Sequence, residues 1–244
     1  MRSIPGQGNA LETEPSFDDA ACCPFESFYR ANRNEKQPDY QYHCAYLPVL
    51  GICCTFGGEI NHSEAIMRKI TNEELGRPSA EEFAAMEKMP VTVVLDNVRS
   101  AQNVGAFFRT GDAFAVERIV LCGITAVPPS RDIHKTALGA EQTVPWCHYV
   151  TTPECLAQLR AEGYEIYAVE QVEGAVMLDA FRARQGVKYA LVFGNEVDGV
   201  GQEAVDMCDG AVEIPQAGTK HSINVSVAGG VVLWDIFSQL RAGF

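Results

Sequence analysis

The chain has 244 residues, 47% of them hydrophobic, which is enough for one large domain with a real core. No apolar run reaches the roughly 18 to 20 residues that cross a bilayer, and the N-terminus lacks the apolar core of a signal peptide, so we expect a cytoplasmic protein. The net charge of −13 excludes a general nucleic-acid coat, because Lys and Arg supply most non-specific affinity for phosphate. An RNA partner would therefore have to be bound by a local basic patch.

Residues 1–66 differ from the rest of the chain, because Pro, Gly and Asn recur there without helical or strand periodicity. Five of the nine cysteines are crowded into this segment: Cys22, Cys23, Cys44, Cys53 and Cys54. We predict an irregular N-terminal extension, which an over-extended start of the coding sequence would also explain. Adjacent Cys-Cys pairs are poor chelators, so we predict no metal site and keep zinc at Cys44, His43 and His62 as an alternative.

From residue 67 the pattern becomes regular. Residues 67–90 are predicted to be a short helical lead-in, with Ser79 and Glu82 forming a capping box that opens a helix through Met86. Strands are then predicted at 91–95, 119–122, 165–169, 189–193 and 211–214, and helices at 104–114, 153–161, 202–207 and 224–240. Such alternation predicts an α/β fold, a parallel sheet with helices on both faces.

The last predicted helix contains the pair Gly229-Gly230. Each glycine inside a helix costs about 1 kcal/mol relative to Ala. A helix that accepts this cost is expected to pack closely against another backbone, and an interface between two copies of the chain is one candidate. A helix that is simply weak is the alternative.

Three segments rich in glycine and amide residues follow the ends of predicted strands, at 96–109, 191–201 and 213–226. The carboxyl ends of strands are where open α/β sheets bind ligands, so the segments predict one composite site. No G-x-G-x-x-G, GK[ST], HExxH or G-x-S-x-G pattern is present, which argues against dinucleotide, P-loop and hydrolase sites.

Each segment offers polar groups at a turn. Asn103 is a candidate N-cap, and the turn at Gly194 and Glu196 could enclose a small polar ligand. Ser222 and Asn224 precede the last helix, whose N-terminus suits a phosphate or carboxylate. Capping and ordinary loop chemistry remain the alternatives for each residue taken singly.

Taken together, the segments resemble the three motifs of the SpoU (TrmH) family of S-adenosylmethionine-dependent RNA ribose 2′-O-methyltransferases, within the SPOUT superfamily. The matching patterns are N-x-G-x-x-x-R, FGNE and IP-x-x-G-x-x-x-S-x-N-V-S, in the family's order. The resemblance covers about residues 91–240. It implies a SpoU-type domain over 91–244, a sheet whose C-terminal segment forms a trefoil knot, and a homodimer.

The resemblance also implies roles for individual residues. The methyl-transfer site would be lined by Arg109, Asn103, Glu196, Ser222 and Asn224. S-adenosylmethionine would contact Val169, Gly194, Asn195, Ile214, Gln216 and Ile223, mainly through backbone atoms. Residues 134–140 also resemble a segment that the family keeps between its first two motifs. The local basic patch that RNA binding requires is expected at Arg99, Arg131, His134, Lys135 and Lys220, with scattered solvated cations as the alternative. Gln216 and Ile223 depart from the usual Met and Leu, and Gln216 is expected to affect how the cofactor is seated.

We therefore predict an enzyme that methylates a ribose 2′-hydroxyl in RNA. Because no additional RNA-binding domain of the kind some family members carry is recognisable, tRNA is preferred slightly over rRNA. Arg109 is expected to stabilise developing alkoxide charge rather than to act as the base, since a guanidinium is effectively never deprotonated in proteins. A noncatalytic RNA-binding or assembly protein and methylation of a base nitrogen are the alternatives.

Overall fold

The computed structural model of the protein describes residues 68–243. The predictions for residues 1–66, including the zinc alternative, lie outside these residues. The described helices are α1 (Ala80–Ala85), α2 (Ala101–Ala113), α3 (Arg131–Ala137), α4 (Ala140–Thr143), α5 (Thr152–Ala161), α6 (Gln202–Asp206) and α7 (Val225–Leu240). Short 3₁₀ turns occupy Glu73–Leu75 and Arg241–Gly243.

The strands are β1 (Met89–Asp96), β2 (Val116–Cys122), β3 (Trp146–Tyr149), β4 (Tyr164–Val169), β5 (Val176–Met177), β6 (Lys188–Phe193) and β7 (Gly210–Glu213). They form one parallel sheet in the order β3-β2-β1-β6-β4-β7-β5. The predicted parallel α/β architecture is confirmed. The strands that were not predicted, β3 and β5, are the two edge strands, where few side chains are buried and the apolar signal is weak.

Both faces of the described sheet are covered, as predicted. Alternate side chains of the central strands point to opposite faces, so Val93 packs in one core cluster and Val94 in the other. The first cluster includes buried residues of α2 and α7, and the second includes Cys155, Leu156 and Leu159 of α5. The continuous burial of β1 follows from this double cover.

The glycine pair was expected to pack against another backbone, but Gly229 packs against a side chain. A Cβ on this residue would lie 2.2 Å from an atom of the Phe107 ring, so the absence of a side chain at Gly229 makes room for this ring between α7 and α2. Phe107 is buried and its ring centroid lies 5.0 Å from that of Phe193. Gly230 faces open space instead, because a Cβ on it would have no heavy atom of the described residues within 4 Å.

Helix ends follow the expected chemistry in two of three cases. The Ser79–Glu82 capping box is present, and the Asn224 side chain caps α7. The prediction that Asn103 caps α2 is wrong, because Ser100 is the N-cap and accepts a hydrogen bond from the backbone NH of Asn103 at 3.3 Å. Asn103 lies one turn inside the helix, which frees its side chain for long-range contacts.

Among the described cysteines, Cys122 and Cys155 are buried and Cys147 and Cys208 are partly buried, all as free thiols. Cys122 and Cys208 pack as small apolar residues in and against the second core cluster. Within residues 68–243 no helix combines the length and apolar character needed to span a membrane.

Candidate active site

The second and third motif segments line a cleft of about 480 Å³ beyond the carboxyl ends of β4, β6 and β7. The first segment contributes no residue to this lining, so Asn103, which was predicted to line the site, is joined to it only through its hydrogen bonds with Glu196 and Asn224. Two of the three segments therefore form the composite site predicted from the strand ends. All six residues predicted to contact the cofactor line the cleft: Val169, Gly194, Asn195, Ile214, Gln216 and Ile223. Glu196, Ser222 and Asn224 line it as well. Ile214 was predicted to end a strand, but β7 ends at Glu213, so Ile214 belongs to the following loop.

A tight hairpin after β6 forms one wall of the cleft. The backbone NH groups of Asn195 and Gly199 each donate to the other residue's carbonyl at 3.1 Å. The Asn195 Oδ1 accepts from the NH groups of Val197 and Asp198, both at 2.9 Å. A Cβ at Gly194 would lie 2.0 Å from the Val200 nitrogen, so only glycine allows this hairpin to close.

Glu196 joins this hairpin to the start of α2. Its carboxylate accepts from the backbone NH groups of Arg99 and Ser100, each at 3.2 Å, and from the Asn103 side chain at 2.8 Å. Burial raises the pKa of Glu196, but the hydrogen bonds from Asn103 and the backbone outweigh it, and the pKa lies below its ordinary value. Glu196 is therefore an ionised carboxylate that binds a proton weakly and holds the start of α2 against the hairpin.

Asn103 connects Glu196 to the start of α7. While its amide NH₂ donates to Glu196, its Oδ1 accepts from Asn224 Nδ2 at 3.2 Å and from Ser226 Oγ at 3.3 Å. Asn224 Oδ1 in turn accepts from the backbone NH of Ser226 at 2.9 Å and of Val227 at 3.3 Å. One chain of hydrogen bonds thus links the three motifs. The role of Ser226 was missed, although its position in the third motif was visible.

Two further carboxylates hold the far end of the hairpin segment, and both were missed by sequence reasoning. Glu170 Oε2 accepts from the Val200 NH at 3.0 Å, and Asp96 Oδ2 accepts from the Gly201 NH at 2.8 Å. The other Asp96 oxygen accepts from the Thr152 hydroxyl at 2.5 Å. A carboxylate directly after a buried strand is the signal available for both residues, since β1 ends at Asp96 and β4 at Val169.

The charge of the cleft favours a cationic or neutral ligand. No Lys or Arg of the described residues lines it. Four acidic residues do: Glu170, Glu196, Asp198 and Glu213. The Asn224 side chain already satisfies the first free NH groups of α7, which leaves the helix N-terminus less suited to a bound phosphate than predicted. Clusters of three metal-ligating side chains are absent from the described part of the chain.

The structure does not bring Arg109 to this cleft. Its side chain is exposed on α2 and has no hydrogen bond or ion pair with any described residue. It lies six residues beyond Asn103, about 9 Å along the helix axis. Gly105, between them, is the point where α3 packs, since a Cβ there would lie 2.0 Å from Thr136 Oγ1.

The residues predicted to bind RNA are all exposed, but their charges are not equally available. Lys135 pairs with Asp132 at 2.8 Å, and His134 Nδ1 lies 2.6 Å from Glu141. The other three make no ion pair within residues 68–243: Arg99, Arg131 and Lys220.

Comparison with known proteins agrees with the geometry. The family model of the SpoU rRNA methylase family matches residues 90–234. The chain is 30% identical over 182 residues to the 23S rRNA (guanosine-2′-O-)-methyltransferase RlmB of Vibrio parahaemolyticus, covering 75% of this chain and 72% of that protein.

Solved structures give the same assignment. An S-adenosylmethionine-bound rRNA methyltransferase of Sinorhizobium meliloti is 27% identical with a TM-score of 0.59, and the match covers 65% of this chain and 60% of that one. The TrmH/SpoU tRNA modifying enzyme of A. aeolicus is 26% identical with a TM-score of 0.59, over 66% of this chain and 80% of that one. The family predicted from the motifs is confirmed: the chain belongs to the SpoU rRNA methylase family of RNA methyltransferases.

Proposed function

We propose that this protein transfers a methyl group from S-adenosylmethionine to a ribose 2′-hydroxyl in ribosomal RNA. The observation that carries the proposal is the cleft lined by the second and third motifs, to which the first motif is joined by the hydrogen bonds of Asn103 with Glu196 and Asn224. An RNA-binding module without catalysis has no need of this chain of hydrogen bonds. A noncatalytic role and transfer to a base nitrogen are accordingly less well supported.

The cleft fits the cofactor in size, charge and available groups. Its volume lies within the roughly 300 to 1,000 Å³ of small-molecule sites. The acidic lining suits a sulfonium cation, and the backbone NH groups of Ile214, Gln216 and Ile223 have no partner among the described residues. Bound there, S-adenosylmethionine supplies an electrophilic methyl group.

The residues of the chain would then orient the acceptor and stabilise charge. In the transfer, the ribose oxygen forms a bond to the methyl carbon, the carbon–sulfur bond breaks with its electron pair remaining on sulfur, and the hydroxyl proton leaves. Glu196 is unsuited to take that proton because its pKa is lowered by three donors. We assign it to holding Asn103, with the proton passing to an RNA phosphate or to water, and Arg109 to stabilising the developing alkoxide.

Arg109 can fill this role if two copies of the chain associate. It is exposed and absent from the cleft of its own chain, so the proposed homodimer would carry it to the partner's cleft. An apolar stripe on α7 supports association, because Val227, Val231 and Trp234 are 55%, 41% and 52% exposed at helical spacing. The trefoil knot implied by family resemblance remains part of the proposal for the C-terminal segment.

The preference for tRNA predicted from the sequence is not supported. The curated relatives that are about 30% identical are named as 23S rRNA enzymes, so rRNA is the substrate class we propose. The match covers only 60% of the Sinorhizobium enzyme, so the substrate of the present chain is a proposal and is not taken over from that enzyme. Nucleoside mass spectrometry of rRNA and tRNA from wild-type and deletion cells tests the assignment. Loss of a 2′-O-methyl mark from 23S rRNA is expected, and loss of no mark would contradict catalysis.

The role of Arg109 is tested separately. Arg109→Lys should lose most of the turnover while the Kd for S-adenosylmethionine, measured by calorimetry, stays unchanged, because a point charge cannot replace the planar guanidinium. Mixing inactive Arg109→Ala and inactive Glu196→Gln chains should restore about one quarter of wild-type activity if Arg109 acts across the dimer, since half of the dimers carry one intact site. Failure of the mixture to recover activity would assign Arg109 to its own cleft or remove it from the mechanism.

A further inference from the structure

A second cleft lies at the sheet edge, away from the three motifs. It has a volume of about 540 Å³ and is formed by the loop before α3, the first turns of α3, α4 and the start of the edge strand β3. Trp146 forms one wall and is 37% exposed, although a tryptophan has much to gain from burial. Arg131, His134, Glu141 and Gln142 line the remainder.

The imidazole in this cleft is held in a fixed orientation. His134 Nδ1 lies 2.6 Å from Glu141 Oε1, and the other Glu141 oxygen accepts from the Gly139 NH at 3.1 Å. Both carboxylate oxygens are therefore used within the protein. His134 Nε2 makes no hydrogen bond with any described residue. With Nδ1–H donating to Glu141, Nε2 is an acceptor in the neutral ring and a donor when the ring is protonated.

The cleft also carries a cation without a partner. Arg131 makes no ion pair among the described residues, whereas Arg118, Arg160 and Arg184 are each paired with a carboxylate. Arg131 and His134 are three residues apart on α3 and so lie on one side of the helix. A guanidinium, an oriented imidazole and an exposed indole face thus line one concave surface.

We propose that this cleft binds one unpaired nucleotide of the RNA substrate, with its base stacked on Trp146 and its phosphate held by Arg131. His134 Nε2 and the Gln142 amide would bind the base edge or the ribose. Stacking on an aromatic side chain is how proteins hold single-stranded RNA, and an uncharged apolar partner would leave Arg131 and His134 unsatisfied. The inference rests on the proposed function, which supplies RNA as the occupant.

The fluorescence of the intact protein tests the stacking directly, because the chain has only two tryptophans, Trp146 and Trp234. Titration of the full chain with a single-stranded oligoadenylate should quench tryptophan emission. Trp146→Phe should abolish most of the quenching while keeping the Kd within about threefold, since an aromatic face remains. Trp146→Leu should weaken RNA binding roughly 5- to 100-fold and leave the Kd for S-adenosylmethionine unchanged.

Two further results separate this inference from the proposed function. If Trp146→Leu keeps the wild-type Kd for RNA, or if quenching persists in Trp146→Phe, the nucleotide cleft is overturned. An active enzyme whose KM for RNA does not change in Trp146→Leu would overturn the cleft while methyl transfer stands. If RNA quenches the emission of Trp146 but the protein has no methyltransferase activity, the nucleotide cleft is supported and the proposed reaction is refuted. Thermal melts of each variant establish that the fold is intact.

Discussion

The adjacent glycines of α7 allow a matched experiment, because Gly229→Ala and Gly230→Ala make the same chemical change one residue apart in the same helix. Alanine at either position gains about 1 kcal/mol of helix propensity. The surroundings differ sharply, since a Cβ at Gly229 would lie 2.2 Å from the Phe107 ring and one at Gly230 would meet no described atom within 4 Å.

Steric crowding decides whether Gly229→Ala raises or lowers the free energy of unfolding. Phe107 is fully buried and its ring packs at a tilt against Phe193, so it cannot move aside without disturbing the core. Overpacking of this kind costs about 1 to 3 kcal/mol, which cancels or exceeds the gain in propensity. We expect Gly229→Ala to lower the free energy of unfolding by up to about 2 kcal/mol and Gly230→Ala to raise it by up to about 1 kcal/mol.

Urea unfolding followed by circular dichroism measures both free energies, and thermal melts give an independent check. For a chain of this size each kcal/mol shifts the melting temperature by about 2 to 4 °C. Measurements at two protein concentrations separate folding from association, because the exposed stripe on α7 is the proposed dimer surface. The packing argument would be refuted if Gly229→Ala were as stable as Gly230→Ala.

Three other substitutions examine the hydrogen bonds and packing around the cleft. Glu196→Gln should lower the free energy of unfolding by about 1 to 2 kcal/mol at pH 7, because the amide NH₂ would face a backbone NH. Since the pKa of Glu196 is lowered in the folded state, the stability advantage of the wild type should shrink as the pH falls below about 4. Urea unfolding at pH 7 and below about pH 4 measures both differences. Asn224→Ala should cost about 1 kcal/mol through the lost α7 cap and reduce turnover more than cofactor affinity, and Asn224→Asp should retain the cap but lose the donor to Asn103. Gly105→Ala should lower the melting temperature by several degrees through the contact with Thr136, and an unchanged melt would contradict the α2–α3 packing.

Much of the fold could be read from local patterns. Five predicted strands and the main helices appear within a few residues of their predicted bounds, because buried strands and amphipathic helices leave periodic apolar signals. Capping at Ser79 and Asn224 was equally local, since each side chain bonds to a backbone NH two or three residues away. The two edge strands escaped prediction because an edge strand buries little and pairs on one side only.

The active site was only partly predictable, for a different reason. The motif spacing identified the family and nine of the residues that line the cleft, although Asn103 and Arg109 lie outside its lining. It did not identify what Asn103 does, because its partners Glu196 and Asn224 are 93 and 121 residues away. Nor could it reveal that Glu170 and Asp96 hold the end of the hairpin segment.

The sequence by itself determined most of the alternation of strands and helices, two of the helix caps and the family, all of which depend on short-range spacing. The tertiary structure alone decided that Asn103 is a junction rather than a cap, that Gly229 rather than Gly230 is the contact point, and that Arg109 lies outside its own cleft. These outcomes depend on which backbones pack together and at what distance. Such distances are set by the whole core, and no single segment of the chain encodes them.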